Sequence, residues 1–192
     1  MRMISRFLLV LLVALAAMGC NDNDNSGNGP SGTVTVRIQD SPFAEAQAVL
    51  VTFSEVSAHK SGSGNFTKLP FVPESASRTC DLKKLVGATD VLGTGPLSEG
   101  HYTQLRLTIT SASLYFDEAS AGPACAASMA TPAGRSAPIE IPSGEVKLNR
   151  EFDVSTANAM TITLDFDGDQ SIRETGNGRF MMQPVISVVS VQ

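Results

Sequence analysis

The sequence predicts an all-β fold, an immunoglobulin-like or transthyretin-like antiparallel β-sandwich of about seven to nine strands with one short helix. Apolar side chains recur at every second position, and β-branched residues dominate those positions. Clusters of Gly, Pro, Asn, Asp and Ser separate the runs, as turns do between strands. Residues 33–192 carry this pattern and are predicted to form a single domain, since about 160 residues suffice for one core.

Four runs alternate most clearly, with three apolar side chains on one face of each predicted strand. They are residues 34–38, 49–53, 105–109 and 162–166. Residues 180–191 are almost continuously apolar, which is typical of a strand buried on both faces or of one that changes sheets at a bend. Pro184 is expected at such a bend or on a sheet edge, because proline cannot donate to a ladder.

Residues 80–87 are the one segment with helical spacing of apolar side chains, and they predict the short helix. Residues 117–138 are rich in Ala, Ser, Gly and Pro and predict a long surface excursion. Cys80 and Cys125 are predicted to form a disulfide that fixes this excursion, and the bridge would stabilise the fold by about 4 kcal/mol. The alternative is a pair of free thiols in a redox site, but the Cys-x-x-Cys spacing of such sites is absent from the sequence.

The amino-terminal segment has the layout of a bacterial lipoprotein signal. Arg2 and Arg6 precede an apolar run, residues 7–17, that is followed by Met, Gly and then Cys20. The run is shorter than the ~20 residues that cross a membrane as a helix. Residues 1–19 are therefore predicted to be a signal peptide, and Cys20 to carry a diacylglycerol and fatty acids. An ordinary secretory signal with an incidental cysteine is the alternative.

Residues 20–32 are predicted to be the lipidated cysteine and a flexible linker. From residue 21 to residue 32 the chain has no apolar side chain, and its reach is about 20 Å. The acyl chains would hold the protein on a membrane, because each buried methylene contributes about 0.8 kcal/mol. Asn21 rather than Asp after the cysteine favours the outer membrane, whereas Asp22 one place later leaves the inner membrane as the alternative. The expected location is the cell envelope, facing the periplasm or the surface.

The charge of the chain argues against nucleic acid as a partner. The sequence has 14 Lys and Arg against 19 Asp and Glu, and loss of Arg2 and Arg6 with the signal would bring the net charge from −5 to −7. A surface that reads phosphates needs clustered positive charge. Lys83 and Lys84 form the one adjacent basic pair and are interpreted as a solvated surface.

The segment 165–171 carries carboxylates on alternate residues, Asp165, Asp167 and Asp169, which could converge on a calcium ion. The spacing departs from an EF-hand loop, because glycine stands at the fourth position, Gly168, and not at the sixth. The competing interpretation is that Asp165 and Asp167 lie on the solvated face of a strand and that Gly168 begins a turn. The predicted fold needs no cofactor, and calcium is the alternative.

The sequence predicts no enzyme. His59 and His101 lie in different segments, without a serine or cysteine in a nucleophile elbow beside either of them. The sequence also lacks a phosphate-binding glycine loop and a zinc-type cluster. A non-catalytic binding or interaction module is therefore expected, with a protein or glycan partner. A calcium-stabilised adhesion or assembly component is the alternative.

Several short motifs, taken in order, resemble the bacterial lipoprotein family known as domain of unknown function 4382. They are residues 32–42 (GTVTVRIQDSP), 97–107 (LSEGHYTQLRL), 141–144 (IPSG), 164–167 (LDFD) with Ser171, and 182–186 (MQPVI). The resemblance implies an exported, often lipid-anchored β-sandwich with no established activity. It also implies that any shared role would fall on Asp165, Asp167 and Ser171.

Gly100-His101-Tyr102 resembles the strand entry of transthyretin-like and immunoglobulin-like sandwiches, where the tyrosine packs inward. The resemblance implies a structural Tyr102 whose hydroxyl bonds to the backbone. Arg106, on the polar side of the strand that follows, is expected to pair across the sheet with Asp165 or Asp167.

Overall fold

The structure is a computed structural model that describes residues 29–41 and 43–192. These residues form fourteen strands, one 3-10 helix at Leu82–Leu85 and a single-turn helix, α1, at Gly168–Ser171. The predicted signal peptide, Cys20 and linker residues 21–28 lie outside the described residues. The strands in chain order are β1 (Ser31–Ser41), β2 (Ala48–Lys60), β3 (Phe66–Lys68), β4 (Arg78–Asp81), β5 (Asp90–Ser98), β6 (Gly100–Tyr115), β7 (Cys125–Ala126), β8 (Ser136–Glu140), β9 (Glu145–Leu148), β10 (Phe152–Val154), β11 (Met160–Asp167), β12 (Ile172–Gly176), β13 (Arg179–Met182) and β14 (Ile186–Val191).

The strands form two sheets in a sandwich-like arrangement. The smaller sheet has four strands in the order β14-β11-β1-β5. The larger sheet has ten strands, of which seven follow the order β12-β13-β8-β6-β2-β4-β7. Strand β3 pairs with β2 in this sheet, and β9 and β10 pair with β6. Strand β6 therefore has β2 on one side and three shorter strands, β8, β9 and β10, on the other.

A continuous apolar core lies between the sheets. In β1, Val34, Val36 and Ile38 are fully buried while the residues between them are half-buried. Strand β11 contributes Ile162, Leu164 and Phe166 in the same alternation. The larger sheet contributes inward side chains such as those of Phe53, Leu105 and Leu107. The period-two pattern therefore identified the core positions of the long strands.

The all-β prediction is confirmed, but the number and direction of the strands differ from it. The described residues form fourteen strands, whereas about seven to nine were expected. The additional strands are short pieces of two to five residues, such as β3, β7 and β10, which are too brief to show a period of two. Strand β1 is parallel to β11, and β13 is parallel to β8, so the sandwich is not purely antiparallel. The immunoglobulin-like or transthyretin-like topology stays a prediction.

The apolar carboxy-terminal run changes sheets at the predicted bend. Strand β13 belongs to the larger sheet and β14 to the smaller one. Pro184 lies in the short connection between them. The backbone N–H of Val185 donates to the Ser171 hydroxyl at 2.8 Å, and the N–H of Gln183 donates to the Ser171 carbonyl at 2.9 Å. Ser171 therefore holds the crossover in place.

The predicted helix over residues 80–87 is shorter than expected. Cys80 and Asp81 end β4, and the helical turn covers Leu82–Leu85 as a 3-10 helix. Asp81 caps the turn, since its Oδ1 accepts from the backbone N–H of Lys83 at 3.1 Å. Leu82 and Leu85 are fully buried, so burial of these two leucines produced the helical spacing in the sequence.

The predicted disulfide is present between Cys80 of β4 and Cys125 of β7. The two residues face each other across an antiparallel pair, and the Cα atoms are 4.0 Å apart. Both cysteines are buried. The bridge closes a segment with a sequence separation of 45 residues that includes β5, β6 and the start of the excursion.

We expect a Cys80→Ala/Cys125→Ala variant to lose about 4 kcal/mol of unfolding free energy, because its unfolded chain is no longer restricted by the closed loop. Urea denaturation measures the loss. Wild-type protein under reducing conditions is the control and should unfold at the same urea concentration as the variant. Equal stability of the oxidised wild type and the variant would contradict the stabilising role.

Candidate functional site

The excursion, residues 117–138, is fixed to the domain at its ends and between them. At its ends, the carboxylate of Asp117 accepts from the backbone N–H of Arg135 at 2.6 Å and from its Nε at 3.0 Å. Between its ends, the hydroxyl of Ser120 donates to Asp81 Oδ2 at 2.6 Å, and the Cys125 N–H donates to Asp90 Oδ2 at 3.0 Å. The disulfide adds a covalent link. The excursion is therefore an ordered part of the surface.

The excursion also covers part of the outer face of the larger sheet. Met129 packs against a small apolar cluster of Ala48, Leu50 and Tyr115, which is separate from the core. These three residues lie at the paired ends of β2 and β6. Most other excursion residues are exposed, Ser128 among them. The covered cluster anchors the segment, and the exposed residues face the solvent.

The guanidinium group of Arg135 forms an ion pair that joins the two ends of the excursion. Its Nη2 lies 2.8 Å from Asp117 Oδ1, and its Cζ lies 5.8 Å from the centre of the Phe116 ring. The hydrogen bonds from Arg135 lower the pKa of Asp117 below its ordinary value. Asp117 therefore stays ionised and paired.

The acidic segment is used in local hydrogen bonds. Asp165, on the outer face of β11, accepts from Gln39 Nε2 at 3.1 Å and from the Ser41 hydroxyl at 3.2 Å. Asp167 caps α1, accepting from the backbone N–H of Gln170 at 2.9 Å. Asp169 lies exposed on the turn. The side chains of Asp165 and Asp167 thus hold the junction between β1, β11 and α1.

Within residues 29–41 and 43–192, no group of three or more His, Cys, Asp or Glu side chains has the proximity to hold a metal ion. The carboxylates of the segment do not converge on one point, because the Asp167 side chain caps the helix that begins at Gly168, while the Asp165 side chain faces β1. Calcium binding through Asp165, Asp167 and Asp169 stays a prediction without support from this geometry.

A buried carboxyl beside this segment was missed by the sequence reasoning. Asp40 of β1 is 5% exposed, and its Oδ1 accepts from the Gly168 N–H at 3.2 Å. Its Oδ2 is buried and has no hydrogen-bond partner among the residues that the structure describes. Asp40 continues the inward series of Val34, Val36 and Ile38, so the alternation itself was the available signal.

Burial raises the pKa of Asp40 to about 8. The neighbouring carboxylates of Asp165 and Asp167 raise this pKa further, whereas the Gly168 N–H and the positive charge of Lys83 lower it. The native state therefore holds a proton on Asp40 that the unfolded chain releases above about pH 4.

A second candidate surface, the Arg106 groove, lies on the outer face of the larger sheet. Its volume is about 480 Å³. The Arg106 guanidinium carbon stacks 3.8 Å from the centre of the Phe66 ring, and its Nη1 lies 3.3 Å from Glu145 Oε2. Lys147 Nζ contacts the same carboxylate at 3.0 Å. The groove is lined by His59, Phe66, Thr103, Gln104, Arg106, Lys147 and Asn149.

The expected pairing of Arg106 with Asp165 or Asp167 is wrong. Arg106 lies on β6 of the larger sheet, and both aspartates lie on β11 of the smaller sheet. Arg106 and Asp165 both point outward from their sheets, so the sandwich core separates them. The cross-strand partner of Arg106 is instead Lys147 of β9, with Glu145 two residues away on the same face.

Tyr102 has the structural role that the resemblance implies. It is 1% exposed, its hydroxyl donates to the Ser98 carbonyl at 2.9 Å, and its ring stacks on Phe152 with centres 5.2 Å apart. Desolvation by burial raises the pKa of Tyr102. The structure also explains the glycine at position 144 of the IPSG motif, because a Cβ there would lie 2.0 Å from the Ile109 carbonyl oxygen.

We expect the domain to lose stability as the pH rises from about 4 to about 8, by up to ~1.4 kcal/mol per pH unit, because the folded pKa of Asp40 exceeds the unfolded one. The Asp40→Asn variant keeps the shape of the side chain but has no carboxyl group to gain or lose a proton. Its gain in unfolding free energy over wild type should grow from near zero at about pH 4 to a few kcal/mol at about pH 8. Urea denaturation across this range measures the gain. Asp169→Asn, an exposed change of the same charge, is the control, and an Asp40→Asn variant less stable than wild type at the upper pH would contradict the argument.

No helix in the described part of the chain combines the length and apolar character that a membrane span requires. Comparison with curated proteins and with solved structures finds no match. A family model described as "Domain of unknown function (DUF4382)" matches residues 31–184, from the first strand to the crossover before β14. The match includes Asp40, Asp165, Ser171 and the disulfide, and it confirms the resemblance seen in the motifs. The chain therefore belongs to the DUF4382 family.

Proposed function

We propose that this protein is a lipid-anchored component of the cell envelope whose β domain is a non-catalytic binding module for a protein partner. The anchor is supported by the sequence pattern of residues 1–19 and by Cys20, where an acyl-modified cysteine would begin the mature chain. The polar linker would separate the domain from the membrane. The outer membrane is the proposed location.

The observation that carries the binding role is the anchored excursion. A segment rich in Ala, Ser, Gly and Pro would be expensive to order on binding if it were free. Here the Asp117–Arg135 pair, the disulfide and the Met129 contact hold the segment against the sheet. Most of the ordering cost has been met in the folded domain. The exposed residues between these anchors are available as a preorganised contact surface.

A protein partner is favoured over a glycan by the placement of the aromatic rings. Binding sites for sugars commonly use an exposed aromatic ring as a stacking platform. Tyr102 and Tyr115 are 1% and 9% exposed, and the sequence contains no tryptophan. Phe66 is half-buried, and the Arg106 guanidinium covers one face of its ring. The described surface thus offers little aromatic area for a sugar.

The contacts of the two histidines support a non-catalytic role. His59 Nδ1 and Nε2 lie 3.1 Å from the Thr103 hydroxyl and 2.9 Å from the Ser63 carbonyl. His101 Nδ1 lies 2.8 Å from Asp153. Each ring is thus engaged in a local contact at the surface. Both cysteines of the domain are in the disulfide.

We expect Cys20→Ala to abolish incorporation of a palmitate label and to release the protein from the membrane fraction, because the thiol would no longer accept the lipid. Labelling, intact-mass spectrometry of the mature amino terminus and membrane fractionation test this expectation. Cys80→Ala/Cys125→Ala is the control that removes cysteines without touching the anchor, and it should label normally. An unmodified amino terminus on wild-type protein would contradict the anchor.

The excursion surface is tested with a photo-crosslinking residue placed at Ser128 in living cells. Because Ser128 is exposed and the excursion is ordered, we expect one discrete crosslinked protein. The same residue at Arg173, exposed on β12, is the control and should not give that product. Asp117→Ala, which removes the carboxylate that joins the ends of the excursion, should reduce the yield from Ser128. Identical products from both positions would contradict a specific surface.

A further inference from the structure

The sheet edges differ in how well they are protected against pairing with another chain. The edge at β5 is covered, since the Thr94 N–H donates to the Pro70 carbonyl at 2.9 Å and Phe71 bridges to Gly93. Strand β7 has two residues and is closed by the disulfide. Strand β12 carries two charged residues, Arg173 and Glu174. Short, covered or charged edges resist strand addition.

Strand β14 is the exception among the strands that end the two strand orders given above. Its six residues, ISVVSV, include no charge and no proline. It pairs with β11 on one side, and no described strand pairs with it on the other. The Val185 carbonyl accepts from the Asp167 N–H at 2.9 Å, so residue 185 faces β11. The alternation of an antiparallel ladder then directs the backbone groups of Ile186 and Val188 to the open side.

A cleft runs along this open side between the two sheets. It has a volume of about 320 Å³, and it lies where β14 approaches β9 of the larger sheet. Ile186 and Val188 pack against the core but are only partly buried. An extended chain added to β14 would cover these two side chains. It would also pair with the N–H and C=O groups of both residues, which no described strand engages.

The charges at the cleft favour an acidic chain. Lys147 and Arg150 line it together with Asn149, and no carboxylate is among the described residues that line it. Arg150 forms no ion pair within the part of the chain that the structure describes. Lys147 shares the Glu145 carboxylate with Arg106, so two cations meet one anion beside the cleft. In a chain of net charge −5 this is a local excess of positive charge.

We propose that the open edge of β14 binds an extended segment of a partner protein in which apolar residues alternate with acidic ones, and that this segment adds a strand to the smaller sheet. The alternation follows from the geometry of a strand, because one face would meet Ile186 and Val188 and the other would meet solvent and the basic residues. A second copy of β14 is a poorer occupant, since its sequence has no acidic residue to pair with Lys147 and Arg150. This inference rests on the proposed binding role and assigns it a second contact, away from the excursion.

The probe is a display library of random short peptides, selected on the full-length protein held in detergent micelles. Selected peptides should be enriched in Asp and Glu alternating with β-branched residues. On addition of a selected peptide, the amides of Ile186 and Val188 should become protected from hydrogen exchange, because they would donate to the added strand.

Two variants test the edge in different ways. Val188→Pro removes an N–H that points away from β11, so the existing ladder should persist while binding of the selected peptide weakens by at least about tenfold. Arg150→Glu reverses the charge at the cleft and should weaken binding of acidic peptides by about tenfold. Arg173→Glu makes the same charge change on β12, outside the cleft, and should leave binding unchanged. If Val188→Pro fails to fold, Arg150→Glu and the exchange measurement still decide the question.

Three peptide results would each overturn the proposal, and a fourth comes from sedimentation. The peptide results are selection without enrichment of acidic residues, peptide binding that Arg150→Glu leaves intact, and exchange protection outside β14. Sedimentation would assign the edge to a second copy if the wild type dimerised and Val188→Pro did not, and this too would overturn it. Crosslinking from Ser128 reports on the excursion alone. If peptide binding at β14 failed while the Ser128 crosslink persisted, the proposed function would therefore still stand. If the crosslink were lost while peptides still bound β14, the excursion surface would fail and the β14 proposal would stand.

Discussion

Strand β6 sets the constraint on which the larger sheet depends. It runs for sixteen residues and pairs with β2 over most of its length on one side, while β8, β9 and β10 divide its other side among them. A strand in this position must present an unbroken apolar face to the core, and Leu105, Leu107 and Ile109 do so. The short strands have little apolar area of their own. They persist because β6 supplies both the ladder and the inward face against which they pack.

The parts of the fold that the sequence predicted are those in which burial is periodic. Val34, Val36 and Ile38, or Ile162, Leu164 and Phe166, alternate because one face of each strand meets the core. The crossover at Pro184 and the Cys80–Cys125 bridge could also be predicted, since proline and paired cysteines limit the chain by their own chemistry. Strands β3, β7 and β10 could not, because two or three residues form a strand only when a longer neighbour is already in place.

In the candidate sites, too, the features set by the local sequence were predicted, and those that depend on the fold were not. The anchored excursion was predicted from its length, its composition and its cysteine, but the Asp117–Arg135 pair that closes it depends on the two ends meeting in space. The partner of Arg106 was mispredicted because a sequence does not say which sheet a strand joins. Glu145, on β9, lies two positions along from the residue opposite Arg106, whereas Asp165 belongs to the other layer. Asp40 was missed because a carboxyl at an inward position goes against the rule that buried acids are rare.

The position of β1 in the smaller sheet has a mechanical consequence. The described chain enters the domain at this strand, and β1 lies between β11, to which it is parallel, and β5, to which it is antiparallel. A pull along the chain at Ser31 would load both ladders in shear, so that many hydrogen bonds would have to break together and not one after another. Strand β14, at the margin of the same sheet, would carry little of that tension. A domain pulled from its amino end would thus resist unfolding at a strand that is bonded on both sides, while β14 stayed undisturbed.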